Sequence, residues 1–181
     1  MSEQMRRHFS KIARGFTLIE ASVTTVILGV GFVAVLELFG TTTRQLRAAD
    51  AMTAGAMLAD HVREMTETLA FNDPQSGSLT FGRESNETNS ASIDDLDDFR
   101  MTGPGNAQTT FSPPVDSSRV SLTDFSGFRQ TIRVEPVNPN NLNTVLTVGP
   151  FRALRVTVTV QKLAEMNQWQ TVHTVTFCRF E

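Results

Sequence analysis

The chain has one cysteine, Cys178, so no intramolecular disulfide can form and the fold must be held by packing, by a membrane or by assembly. A lone thiol near the end of a strand pattern is expected to serve as a small core hydrophobe. Lysine is nearly absent, and beyond Gly15 only Lys162 remains. The charge that is present is unevenly placed. Residues 1–15 carry Arg6, Arg7, Lys11 and Arg14 against Glu3, an excess of three positive charges. That leaves −6 on the rest of the chain against a formal total of −3. An acidic body lacks the basic patch of a nucleic-acid footprint, so no nucleic-acid partner is expected. The three histidines, His8, His61 and His173, are far apart, and no Cys-x-x-Cys, Gly-x-Ser-x-Gly or phosphate-loop pattern occurs. His61 has no second ligand at metal spacing and reads as a surface or packing histidine. With a small, loop-rich body as well, neither an enzyme nor a cofactor is expected.

The chain does have one long apolar run. Phe16 to Phe39 is 24 residues, roughly 36 Å as a helix, enough to span a hydrocarbon core of roughly 30 Å. A cleaved secretory signal would need a shorter apolar region with a small-x-small cut close behind. The nearest such sites, Ala49-Asp50-Ala51 and Ala54-Gly55-Ala56, lie well downstream. A plain membrane anchor explains the length, and the basic flank orients it with the acidic body outside the cytoplasm. It does not explain Glu20. An acidic residue at mid-helix costs roughly 2.5–3.5 kcal/mol on insertion scales. Glu37, near the outer end, can reach the interface.

The stretch Gly15 to Glu20, Gly-Phe-Thr-Leu-Ile-Glu, follows a basic leader and opens the apolar run. It resembles the processing signal of type IV pilins and of the related pseudopilins of type II secretion systems. The resemblance implies that a prepilin peptidase cuts after Gly15 on the cytoplasmic side and methylates the new amine of Phe16. The apolar segment is then retained as an assembly helix. Cleavage creates a cationic amine one helical turn from Glu20. Glu20 can neutralise that amine or its counterpart on an adjacent subunit, which lowers the cost of a carboxylate in lipid. Ser22, Thr24, Thr25, Gly29 and Gly31 are small enough to let helices approach closely in a membrane, although ordinary membrane-helix composition accounts for them equally well.

Residues 41–71 read as an amphipathic extension of the same helix. Ala51, Gly55, Leu58, Val62, Met65 and Leu69 recur at alternating spacings of four and three, a single helical stripe, and Asn72-Asp73-Pro74 is the expected stop. Residues 72–127 are rich in Ser, Asn, Asp, Gly and Pro and read as loops with short ordered pieces. Within them Asp94, Asp95, Asp97 and Asp98 form an acidic tract. Clustered hard oxygens suit calcium, but the spacing does not match a twelve-residue calcium loop, and a solvated acidic loop is the expectation.

Residues 128–181 read as strands. Phe128, Ile132 and Val134 alternate with Arg129, Thr131, Arg133 and Glu135. Leu142 to Val148 is a short β-prone run. Leu154, Val156, Val158 and Val160 alternate with Ala153, Arg155, Thr157 and Thr159. Trp169 to Phe180 follows a turn at Glu165-Met166-Asn167, which implies an antiparallel hairpin. The expected fold class is therefore α+β. A basic leader (1–15) precedes a membrane helix (16–40) and its extension (41–71), whose apolar stripe packs on a carboxy-terminal antiparallel sheet. This is also the pilin architecture, with one departure: many pilins close the domain with a disulfide loop, which one cysteine cannot make.

The resemblance implies a filament subunit held by its helix in the inner membrane, with its amino terminus cytoplasmic and its carboxy-terminal domain periplasmic. Its partners would be the peptidase, other pilin or pseudopilin subunits and membrane lipid. Pilus, secretion pseudopilus and DNA-uptake filament all remain open, as do major and minor roles. A monomeric membrane-anchored periplasmic binding module is the alternative. A secreted hydrolase would require loss of residues 16–40.

Overall fold

The computed structural model describes residues 15–72, 82–83, 92–100 and 108–181. The basic leader up to Arg14, with His8, and the Asp73-Pro74 pair lie outside them. Helix α1 runs without a break from Leu18 to Thr68. It opens on Thr17, whose Oγ1 accepts the Glu20 N–H at 3.2 Å and whose carbonyl accepts the Ala21 N–H at 3.0 Å. Among the described residues it is the one helix long and apolar enough to cross a membrane. The chain divides into two units, Met1–Leu46 and Arg47–Glu181.

In the first unit every described residue is exposed. Phe16, Leu18, Ile19, Val26, Ile27, Leu28, Phe32, Leu38 and Phe39 all present large apolar surface. Such a surface all round a helix belongs to a membrane span or to a helix covered by others.

In the second unit the sequence stripe becomes the buried face. Ala51, Gly55, Leu58, Val62, Met65 and Leu69 are all buried, together with Ala59 and Thr66. They pack on an antiparallel sheet of β1 (Gln108–Phe111), β2 (Phe128–Asn138), β3 (Asn141–Val145), β4 (Ala153–Leu163) and β5 (Trp169–Phe180). β2 and β4 are central. β5 pairs with the free side of β4, and β1 and β3 share the outer side of β2. Ile132, Val134, Leu154, Val156, Val158 and Val160 point into the core, as their period-two pattern requires. β4 and β5 form the expected hairpin over Glu165–Asn167. The run at Leu142–Val148 forms β3 only as far as Val145, and all of β3 is exposed.

Two expectations are corrected. Cys178 is half-buried on β5 rather than in the core, because it falls beside Phe177, whose side chain takes the core-facing place in the alternation. The acidic tract is not solvated. Asp95 and Asp98 have no exposed surface and Asp97 only 6%. Ile93, Leu96 and Phe99, three residues apart, are wholly buried in the core cluster, and they draw the intervening carboxylates in with them.

Candidate functional site

The first candidate region is the start of α1. Gly15, Phe16 and Thr17 precede the helix in irregular, exposed backbone. Among the described residues, its chain neighbours aside, nothing lies within 4 Å of where a Gly15 Cβ would stand, and Phe16 is 78% exposed. Gly15 and Phe16 are thus both exposed on the described part of the chain. Glu20 sits in the first turn, where the unpaired N–H groups and the positive end of the helix dipole favour a carboxylate. Thr17 and Glu20 also stand in the Thr-x-x-Glu spacing of a capping box, and the Glu20 N–H bond to Thr17 supplies one half of it. Sequence reasoning missed this role of Thr17, although the spacing was legible.

Further along, the Ser22, Thr24 and Thr25 hydroxyls donate to the carbonyls of Leu18, Glu20 and Ala21 at 2.7–2.8 Å. Their protons are thus satisfied within the helix, and what they offer a neighbouring helix is smallness. Gly29 and Gly31 have open space where a side chain would stand.

The second candidate region is the loop of residues 92–100, which follows α1. It is stapled to the residue just beyond the helix: Ala70 N–H donates to Asp94 O at 3.3 Å, and Leu96 N–H donates to Ala70 O at 3.1 Å. The Thr109 hydroxyl donates to Phe99 O at 2.8 Å, and the Arg119 guanidinium donates to Ile93 O. Within the loop the carboxylates cap their own backbone. Asp95 Oδ1 accepts from the N–H groups of Asp97 (2.8 Å) and Asp98 (3.1 Å), and Asp98 Oδ2 accepts from those of Asp94 (2.9 Å) and Asp95 (3.3 Å). Asp97 Oδ2 accepts from Gly82 N–H at 2.6 Å. Carboxylate oxygens of Asp94, Asp95 and Asp98 come within 4.8 Å of one another. Burial first, and then the Asp97 and Asp98 carboxylates, push the Asp95 carboxyl up to about 9.

The remaining singled-out residues do not converge on a site. His61 is half-buried on α1, and His173 lies on β5 with its Cβ against Gly55. Sequence reasoning also passed over Gln130. This fully buried side chain joins three elements: its Nε2 donates to Leu58 O of α1 (2.8 Å) and to Val115 O (3.1 Å), and its Oε1 accepts from Val115 N–H (2.8 Å). The signal was a polar residue at an inward position of the β2 alternation.

No protein-family model, curated protein or solved structure matches the chain.

Proposed function

We propose that the chain is a structural subunit of a type IV pilus-like or type II secretion pseudopilus filament. A prepilin peptidase would cut it after Gly15 and methylate Phe16, and it would assemble through its apolar helix. The observation that carries this reading is the junction itself. An exposed Gly15–Phe16 pair stands just ahead of a continuous apolar helix with Glu20 in its first turn. A new amine at Phe16 would lie at the positive end of the helix dipole, where a cation is unfavourable. Glu20, one turn on, offsets that charge in its own chain or in a neighbour's. The exposed span of α1 supports placement in the inner membrane, with residues 47–181 on the periplasmic side.

The test is the mass of the protein extracted from membranes of cells that contain the peptidase. Loss of residues 1–15 with gain of one methyl group is expected; an intact amino terminus overturns the reading.

One observation favours the alternative, a monomeric anchored binding module. A groove of about 430 Å³ is lined by Ala48, Ala51, Met52, Leu163 and Val172, with Arg47 and Lys162 beside them. Glu20→Ala separates the two readings. An assembly subunit loses incorporation into filaments while its domain stays folded, and an anchored module is indifferent.

A further inference from the structure

We propose that the groove between α1 and the β4–β5 hairpin holds one anionic phospholipid, with its phosphate against Arg47 and Lys162 and one acyl chain along the apolar walls. The groove lies wholly within the Arg47–Glu181 unit. Its volume of about 430 Å³ falls within the roughly 300–1,000 Å³ of small-molecule sites. Ala48, Ala51 and Met52 of α1 form one wall, and Leu163 and Val172 of the hairpin form the other. Of these, Ala48, Met52 and Leu163 are left exposed, so the groove presents apolar side chains to water in a concave strip. Two cations line it as well. Among the described residues neither Arg47 nor Lys162 pairs with a carboxylate, and the Lys162 ammonium rests 5.5 Å from the centre of the Phe128 ring. One carboxylate, Glu165, also lines the groove, from the exposed tip of the hairpin. The lining thus carries a positive excess in a chain whose formal charge is −3. An apolar cleft with unpaired cations is complementary to an amphiphile with an anionic head. A guanidinium matches phosphate in particular, through its planar fork of donors.

The supply of such a molecule follows from the spacing along α1. Arg47 comes eight residues after Phe39, the last residue of the apolar run, on the same unbroken helix. That is roughly 12 Å of helical rise. A headgroup layer extends roughly 5–8 Å beyond the hydrocarbon core on each side, and long basic side chains reach towards it. A bilayer holds phospholipid beside the groove at a high effective concentration, which a free phosphate ester lacks. The proposal rests on the membrane placement of α1 given above. It holds equally for a filament subunit and for a single anchored module, and it does not depend on processing at Gly15.

The test is native mass spectrometry of the full chain released from neutral detergent micelles, titrated with dioleoyl phosphatidylglycerol or dioleoyl phosphatidylcholine. One phosphatidylglycerol per chain is expected, held about 20-fold more tightly than phosphatidylcholine, with about 5-fold from each of the two cations. Arg47→Gln and Lys162→Gln should each weaken retention about 5-fold. Ala48→Trp, at an exposed position, fills the groove and leaves both cations in place. It should lose the lipid while its melting temperature stays within about 2 °C of the parent's. Arg152→Gln, also exposed and outside the groove, controls for loss of charge and should retain lipid as the parent does. Glycerol 3-phosphate at about 10 mM should displace nothing, because it has no chain to bury. Displacement by it overturns the assignment to lipid. Parental retention in the Arg47→Gln/Lys162→Gln double variant, or in Ala48→Trp, overturns the proposal, since lipid is then bound around the apolar span instead. Membrane fractionation reads the placement separately. Recovery of the chain in the soluble fraction overturns the membrane reading and this proposal with it. A chain that stays in the membrane but holds both lipids equally overturns the proposal alone.

Discussion

Replacing Gln130 with leucine should cost the domain about 1–5 kcal/mol, although the change is from polar to apolar at a fully buried position. The reason lies at Val115. This residue is 2% exposed, and both its N–H and its carbonyl bond to the Gln130 amide, at 2.8 and 3.1 Å. The neighbouring ladder bonds run instead through Pro114, Asp116, Val120 and Leu122. They offer Val115 no substitute. Gln130→Leu therefore orphans two buried backbone groups, at about 1–3 kcal/mol each. Leu58 O loses only a second partner, since a helix carbonyl keeps its own N–H. Burying leucine in place of an amide returns about 1 kcal/mol. For a domain of this size 1 kcal/mol corresponds to roughly 3–4 °C in melting temperature, so a fall of about 3–20 °C is expected. The single tryptophan, Trp169, reports it. Its ring lies 4.4 Å from the guanidinium of Arg129, the residue before Gln130 on β2. A fall of less than about 2 °C, with unchanged cooperativity, would show that Val115 finds other partners and that the three-way bridge is not a structural element.

Other substitutions probe different parts of the same domain. A Cβ on Gly55 would stand 2.9 Å from Val172 Cγ2 and 3.0 Å from His173 Cβ. The helix propensity that Gly55→Ala gains, about 1 kcal/mol, is therefore met by an overpacking cost of about 1–3 kcal/mol. Thermal melts should show a net loss of up to about 2 kcal/mol, and a larger one for Gly55→Leu. Met166, at the tip of the β4–β5 hairpin, is 91% exposed and has φ 62°. Met166→Gly removes left-handed strain and should raise stability by up to about 1 kcal/mol in denaturant titrations. Stability should also depend on pH through Asp95. Its carboxyl ionises near 3.8 when unfolded and near 9 when folded. The folded state then holds the extra proton across that window, so stability is greatest at its acid end. It falls as pH rises, by up to about 1.4 kcal/mol per unit. Asp95→Asn should flatten this slope.

The parts of the fold that were legible in the sequence are those governed by a single periodicity. The stripe from Ala51 to Leu69 has one solution on a helix. The alternation of Leu154, Val156, Val158 and Val160 has one solution on a strand, and both are buried as written. The acidic tract was misread because its composition says water while its spacing says core. Ile93, Leu96 and Phe99 recur every third residue, which suits the short 3₁₀ turn at Asp97–Phe99. A search for periods of two and 3.6 passes over it. Gln130 was lost for the opposite reason. It sits in a clean strand pattern, but its partners are the backbone of residues 72 and 15 positions away, and no local rule announces them.

Glu20 shows how a residue can satisfy a local rule and still need a second account. In the intact chain it belongs to the first turn that Thr17 caps, and a carboxylate there gains about 0.3–1 kcal/mol from the helix dipole. That gain is several-fold smaller than the roughly 2.5–3.5 kcal/mol such a charge costs deep in a bilayer. Capping by itself therefore supports a Glu at the membrane edge and no deeper. A cationic amine at Phe16 would change the balance, since it supplies a full charge in place of a partial one. The two contributions separate in Glu20→Gln. Glutamine preserves the Thr-x-x-Glu/Gln capping pattern and removes only the charge. If Glu20 serves as a cap, Glu20→Gln should behave as the parent in every respect and Glu20→Ala should lose helix content at Thr17–Ala21. If it serves as half of an ion pair, both variants should be cut and methylated, and both should fail to enter filaments. Filament incorporation of Glu20→Gln at the parental level would refute the ion-pair role and leave the cap as its whole function.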